Sequence, residues 1–477
     1  MRIGRGPTLL GFLLLCLSLA FTGSALSTPA TTALVIRNVT VINPASSSVQ
    51  PGKAVVVVGN HITSVSDSAH FQIPVHARVI DGNGQFLIPG LWDMHVHCAF
   101  GDWFPGGRDV ILPLLIAEGV TGVRDMGGDV SVLLASRNEI ADHKIIGPRM
   151  VISGPMLDGY LPDGKSLRFP STIPVTTPAE ARATVDSLKK QHVDFIKTQS
   201  LISREAYFAA VEEARKQGLP FVGHVPDKIR ITEAVAVGQE SIEHLMGFFE
   251  GCSSAEGRFI KGDGDMKLLL ESQDKAKCDK LLALLAQTQT WQVPTLVWQR
   301  GGTFLDQLDW KHQPLDRYVP AYWRDVTWHR FAEQMMPDIL HDSLKLRQEY
   351  FARNLQAIGY MHRAGVPMLA GTDTAPGIYI MPGFSLHDEL ANFVEAGLTP
   401  MEALQTATSN PARFLGREDL GAIEPGKLAD LVLLAANPID DVHNTLKINA
   451  VVANGKLLDR GALDQILSQV EVYAKRN

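Results

Sequence analysis

From Phe86 to Asp373 the chain repeats one pattern, a short apolar run rich in β-branched residues followed by a stretch with helical periodicity. Such alternation requires a parallel sheet with crossover helices. Eight runs qualify as strands: Phe86 to His95, Gly119 to Asp125, Arg149 to Ser153, Val193 to Thr198, Pro220 to His224, Ser241 to His244, Trp291 to Leu296 and Val366 to Asp373. Eight β/α units closing on themselves give a TIM (β/α)8 barrel, whose reactive groups lie at the C-terminal ends of the strands. Two helix starts carry their own signal. Thr177-Pro178-Ala179-Glu180 and Thr399-Pro400-Met401-Glu402 each combine an N-cap threonine, proline at the first helical position and glutamate two residues on.

Outside this region the pattern changes. Residues 33 to 90 hold short β-branched runs between turn residues, and matching runs recur at Asp430 to Leu434 and Ile448 to Ala453. The two ends are therefore expected to build one small β-sandwich domain. The expected division is a signal peptide over 1–25, the first part of the sandwich over 26–88, the barrel over 89–418, and the second part with a C-terminal tail over 419–477.

The signal peptide is read from Arg2 and Arg5 ahead of the apolar run Leu9 to Phe21, closed by the small residues Thr22-Gly23-Ser24-Ala25. The alternative, an uncleaved anchor, needs roughly 20 apolar residues, and this run is shorter and interrupted by Gly11. The expectation is an exported protein, periplasmic or secreted, with no membrane attachment after cleavage. Three cysteines then remain. Cys252 and Cys278 flank one polar, Gly-rich segment and are expected to bridge, whereas Cys98 sits in expected core.

A chain of 477 residues with 45% hydrophobic and 20% charged residues is ordinary globular protein. Its formal charge of −7 leaves no basic footprint for nucleic acid or acidic lipid. A small-molecule substrate is the expected partner, and a homo-oligomer is compatible with the sequence.

Ligand-type side chains fall at the strand ends. His95 and His97 lie two apart on the first strand, where a period of two turns both imidazoles to one side. Lys197 ends the fourth strand, His224 the fifth, His244 the sixth and Asp373 the eighth. Barrel strand ends converge on one mouth, so these residues are expected to meet there. Histidines with a carboxylate leave room for water on a divalent ion, an open catalytic site rather than a closed structural one. An ammonium cannot coordinate a cation, so Lys197 must be neutralised or modified.

The motifs Pro89-Gly90-Leu91-Trp92-Asp93-Met94-His95-Val96-His97, Asp194-Phe195-Ile196-Lys197, Gly223-His224, Glu243-His244 and Gly371-Thr372-Asp373 resemble the amidohydrolase superfamily. The likeness is closer to its imidazolonepropionase-like branch, which includes metal-dependent Xaa-Pro dipeptidases. It covers nearly the whole mature chain, including Asn410-Pro411-Ala412-Arg413, Gly421 to Asp430 and Asn454-Gly455-Lys456.

The resemblance implies two divalent metal ions, zinc being the expected species, bridged by a carbamate that carbon dioxide forms on Lys197. It assigns His95 and His97 to the more buried ion, His224 and His244 to the other, and Asp373 to the first ion and the nucleophilic water. Val225-Pro226-Asp227 after His224 departs from several branch members, so the resemblance does not carry the substrate.

Three further residues are candidates for substrate binding. Arg124, ending the second strand, suits a bidentate clamp on a carboxylate, the alternative being a salt bridge to Asp125 or Asp129. Tyr160 after the third strand, and His387 with Glu389 after the eighth, are placed to face the mouth, the alternative being loop packing. The long aromatic-rich connection from Val297 to Tyr360 reads either as a lid or pocket wall or as an extra helical layer. The expected activity is hydrolysis of an amide or peptide-like C–N bond in a dipeptide or N-acyl amino acid. The alternatives are a mononuclear deaminase or cyclic-amide hydrolase of the imidazolonepropionase type, and a non-catalytic binding protein on the same barrel.

Overall fold

The computed structural model describes residues 32–309, 312–375 and 377–477, so the signal-peptide expectation and Trp310 lie outside the described residues. Phe86 to His95, expected as one strand, is two. Phe86–Pro89 pairs with Leu431–Leu434, and Leu91–Val96 pairs with Val120–Asp125. Gly90 lies between them, where its N–H donates to Asp430 O and a Cβ would lie 2.0 Å from Thr121 Oγ1.

Both chain ends enter one eight-stranded sheet. Its order is Lys456–Asp459, Ile448–Ala453, Leu431–Leu434, Phe86–Pro89, Leu34–Asn43, Ser48–Val58 and His61–Asp67, with Arg78–Asp81 also alongside Leu34–Asn43. All eight strands are hydrogen-bonded in one order, and Leu34, Val55 and Ile62 from its first part share an apolar cluster with Leu431, Leu433 and Val452 from its second. The Phe86–Pro89 strand pairs with Leu34–Asn43 on one edge and Leu431–Leu434 on the other and so joins both termini in one ladder. Period-two alternation gives the sheet two apolar faces. Leu87, Leu431, Leu433 and Val452 belong to the cluster of the sheet itself, whereas Ile88, Val432, Leu434 and Val451 belong to the large core beneath it.

The central region is α/β with parallel strands. Leu91–Val96, Val120–Asp125 and Arg149–Ile152 form a three-stranded sheet. A second sheet runs Thr172–Pro174, Met156–Asp158, Ile196–Thr198, Phe221–Gly223, Ser241–Glu243 and Trp291–Val293. Seven expected strands therefore recur with shorter bounds, and Met156–Asp158 and Thr172–Pro174 are additional. The expected eighth strand is no continuous ladder. It makes isolated parallel bridges, Met368 with Gln292 and Thr374 with Val96, and so touches both sheets. On the other side Asp194 N donates to Ile152 O at 2.8 Å. Both expected capping boxes are present, starting helices Pro178–Lys190 and Pro400–Thr406.

The 297–360 connection combines the two roles read from its sequence. Trp298, Phe331, Met335 and Tyr350 line the main cavity, while Tyr318, Trp323 and Trp328 are buried in the core. Cys252 and Cys278 are bridged, and Cys98 is free and buried.

Candidate metal centre

Backbone hydrogen bonds bring the strand ends together. Met94 N donates to Ala370 O and Asp373 N to His95 O, while His97 N donates to Thr374 O, so the first strand and the 366–374 segment are zipped around the His95–His97 pair. Asp93 strengthens this join by accepting from Thr372 Oγ1 at 2.7 Å and Thr372 N at 3.1 Å. His224 N donates to Thr198 O and His244 N to Val293 O, fixing the other two histidines to neighbouring strands. Gly223 is needed beside them. It has φ +128°, and a Cβ there would lie 2.3 Å from Thr198 O and 2.9 Å from Lys197 Cδ.

Two of the six residues sit in left-handed backbone: His244 at φ 59° and Asp373 at φ 59°. Non-glycine residues pay strain there, of order 1–3 kcal/mol, and such positions cluster at functional sites. At His244 the conformation ends the strand and swings the ring into the cavity, while Ser241 and Glu243 point into the interior.

The four histidines share one arrangement. His95 Nδ1 is 2.9 Å from Glu243 Oε2, His97 Nδ1 is 2.9 Å from Gly127 O, His224 Nδ1 is 2.8 Å from Ser200 Oγ, and His244 Nδ1 is 2.7 Å from Thr295 Oγ1. Each Nδ1 thus has an outward partner, which frees Nε2 as the inward-facing donor atom. Outer partners of this kind fix ring orientation and raise ligand basicity in metal sites.

The Nε2 atoms converge on Asp373, with His97 at 3.1 Å, His95 at 3.5 Å and His244 at 3.9 Å from its carboxylate oxygens. One ligand atom each from His95, His244 and Asp373 lies within 4.8 Å of the others, a spacing that suits a shared cation. Ring centroids of His95 and His244 are 4.8 Å apart, and those of His224 and His244 are 4.9 Å apart.

Lys197 lies beneath this cluster, fully buried, and its Nζ has no hydrogen-bond partner. Leaving an ammonium so costs several kcal/mol, so the position fits a modified, metal-engaged lysine better than a bare one. Burial pulls its pKa down to about 8. Burial likewise lowers His95 to about 4 and His244 to about 3, and holds His224 well below the ordinary value, so the rings are neutral donors at neutral pH. For Asp373 burial acts upward and His95, His97 and His244, whenever one of them carries a proton, act downward, so its carboxyl lies below the ordinary range. Neutral imidazoles, a carboxylate and an orphaned buried amine form a donor set that fits divalent metal.

Arg124 is not a clamp for substrate. It is fully buried, donates to Met94 O and Ser241 Oγ, and pairs with Glu243 through Nη2 at 3.0 Å. Neither Asp125 nor Asp129 is its partner. The second strand directs it into the interior below the histidines, where Glu243 both neutralises it and orients His95. The sequence placed Glu243 beside His244 without giving it this role, and its signal was the same-side spacing of Ser241 and Glu243.

His387 is also removed from the mouth. It is buried on helix Phe384–Glu395, with Nδ1 2.8 Å from Thr445 Oγ1 and Nε2 3.1 Å from Glu118 O, and ties the helix to the C-terminal segment. Glu389 accepts from Leu296 N and Val297 N and so caps the helix that begins the long connection. Tyr160 is exposed and does not line the main cavity. Arg168, Asp158 and Ser200, which do line it, come from loops or from strands too short for any period to reveal.

The cavity over the histidines has a volume of about 240 Å³. Phe100 packs edge-on against His97 at 4.7 Å, and Trp298 stands 6.2 Å from His244, so aromatic walls flank the cluster on two sides.

Residues 86–458 match the model of the Amidohydrolase family. Imidazolonepropionase of Anaeromyxobacter sp. (strain K) is 25% identical over 439 residues, covering 90% of this chain and 96% of the relative. A solved Xaa-Pro dipeptidase with bound methionine in its active site superposes with a TM-score of 0.67 at 22% identity, covering 90% of this chain and 100% of its own. Bottromycin amidohydrolase does so with a TM-score of 0.71 at 23% identity, covering 94% and 91%. The chain belongs to the amidohydrolase family and is a hydrolase acting on carbon–nitrogen bonds.

Proposed function

We propose that this protein is an exported amidohydrolase that cleaves an amide or peptide-like bond in a small substrate, of the dipeptide or N-acyl amino acid type, at a binuclear metal centre. The observation that carries this reading is the shared arrangement of the four histidines, each with Nδ1 engaged outward, around Asp373 and a buried, unpartnered Lys197.

In this reading His95, His97 and Asp373 would hold one ion, His224 and His244 would hold the second, and Lys197, as its carbamate, would serve both. Two divalent cations, zinc being the expected pair, supply an acidified water and a polarised carbonyl. Asp373, ionised and facing the cavity, accepts the proton of the attacking water and delivers it to the departing amine as the C–N bond breaks. The aromatic walls keep bulk water from the reacting atoms. The scaffold is read as a closed (β/α)8 barrel, its two parallel sheets joined through Met368 and Thr374 on one side and through Asp194 and Ile152 on the other. Residues 1–25 are read as the export signal.

A second reading has a specific observation in its favour. The compact trio His95, His244 and Asp373 suits a single ion, as a deaminase or cyclic-amide hydrolase of the imidazolonepropionase kind would use.

The test is hydrolysis by protein expressed with zinc and bicarbonate, offered dipeptides, N-acyl amino acids, cyclic amides and lactones. Release of free amino acid from the linear amides is expected. Turnover of cyclic amides alone would favour the second reading.

A further inference from the structure

Of the side chains lining the cavity, Arg168 is the one permanent cation. It is half-buried, and among the described residues no carboxylate lies within ion-pair distance of it. Asp158, the lining acid that burial pushes up to about 6, has Oδ1 committed to Leu201 N at 2.7 Å, and Asp227, which also feels the charge of Arg168, does not reach it as an ion pair.

The next residue, Phe169, lines the same cavity and packs on Phe100 at 6.2 Å, and Phe100 in turn packs on His97. One loop thus presents a cation and an apolar wall side by side. Trp298, Phe331 and Met335 complete the apolar lining. An unpaired guanidinium next to an aromatic surface matches a carboxylate borne on a carbon that also carries a bulky apolar group, because the planar fork takes a carboxylate through two parallel hydrogen bonds.

We infer that Arg168 is the residue that selects the substrate, holding the free carboxylate of an N-acyl amino acid or dipeptide whose bulky apolar side chain lies against Phe169 and Phe100. This rests on the hydrolase reading above. Arg168 takes the role that its position on the second strand had suggested for Arg124, and it does so from a loop at the cavity rather than from the buried interior.

The experiment compares N-acetyl-L-phenylalanine with N-acetyl-L-phenylalaninamide, which differ only in the carboxylate, on the zinc-loaded wild type and on Arg168→Met and Arg168→Lys. Hydrolysis and calorimetric binding are both measured. The wild type is expected to prefer the acid. Arg168→Met is expected to raise KM for the acid about 10- to 100-fold, the scale of a lost charged hydrogen bond, with kcat little changed and the amide unaffected. Arg168→Lys, which keeps the charge and loses the fork, is expected to fall between.

Equal use of acid and amide by the wild type, or an equal loss on both in Arg168→Met, overturns the assignment while leaving the hydrolase reading intact. Binding of the acid that depends on Arg168 without hydrolysis upholds the assignment and counts against that reading. Neither binding nor hydrolysis overturns both.

Discussion

Glu243 Oε2 stands 2.9 Å from His95 Nδ1, and neither side chain is more than 1% exposed. The same carboxylate accepts from Arg124 and from Ser241 Oγ at 2.6 Å, so one buried group neutralises a cation and sets the orientation of a candidate ligand. Removing one member of such a pair strands the other, at about 3–5 kcal/mol, whereas removing both does not. Glu243→Gln and Arg124→Met are each expected to lower the unfolding midpoint strongly, and the double variant less than their sum. Zinc affinity should fall about 10- to 100-fold in Glu243→Gln, the usual effect of losing an outer partner. Denaturant melts and zinc titrations on the four proteins check this; additive losses with unchanged zinc affinity would separate Glu243 from the centre.

Gly223→Ala tests the close passage of neighbouring strands. Its Cβ would meet Thr198 O at 2.3 Å, and the clash lies in backbone, which has no cheap way to give. The strand must shift, carrying His224 and pressing on Lys197. Loss of metal with largely retained secondary structure is expected, measured by metal content and circular dichroism. Gly218→Ala, at a positive-φ site with no neighbour within 4 Å, serves as the control that keeps its metal.

His387 gives a pH dependence. Burial lowers its pKa to about 4 from the ordinary 6.5, so the folded protein holds the neutral ring. The unfolded chain therefore binds the proton first as pH falls, and the contribution is complete above about 6.5 and lost progressively towards about 4. Its size is up to about 3 kcal/mol. In His387→Asn this acid-side loss should be absent, so the gap in melting temperature between variant and wild type narrows as pH falls from 6.5 to 4. A gap that stays constant over that window would show that the ring is not held neutral.

Much of the parallel scaffold was legible in the sequence, because period and turn chemistry are local. Seven strand positions and both capping boxes recur, and His95, His97, His224, His244 and Asp373 line one cavity because strand ends converge. What was not legible depends on depth and on partners far away in the chain. The alternation of Val120–Asp125 points Arg124 inward, yet only the pairing with Glu243, more than a hundred residues on, decides whether it meets substrate or core. His387 follows the eighth expected strand, but its direction is set by Thr445 from the far end of the chain. Met156–Asp158 and Thr172–Pro174 are three residues each, too short for a period to register. In the terminal sheet apolar alternation tells which residues are buried and not which strand edges join.

Whether Lys197 joins two metal ions is read from metal content per chain. Wild type expressed with zinc and bicarbonate is expected to hold two ions per chain, and Lys197→Ala to lose at least one of them together with hydrolysis. One tightly bound ion in the wild type, or full hydrolytic activity in Lys197→Ala, would contradict it.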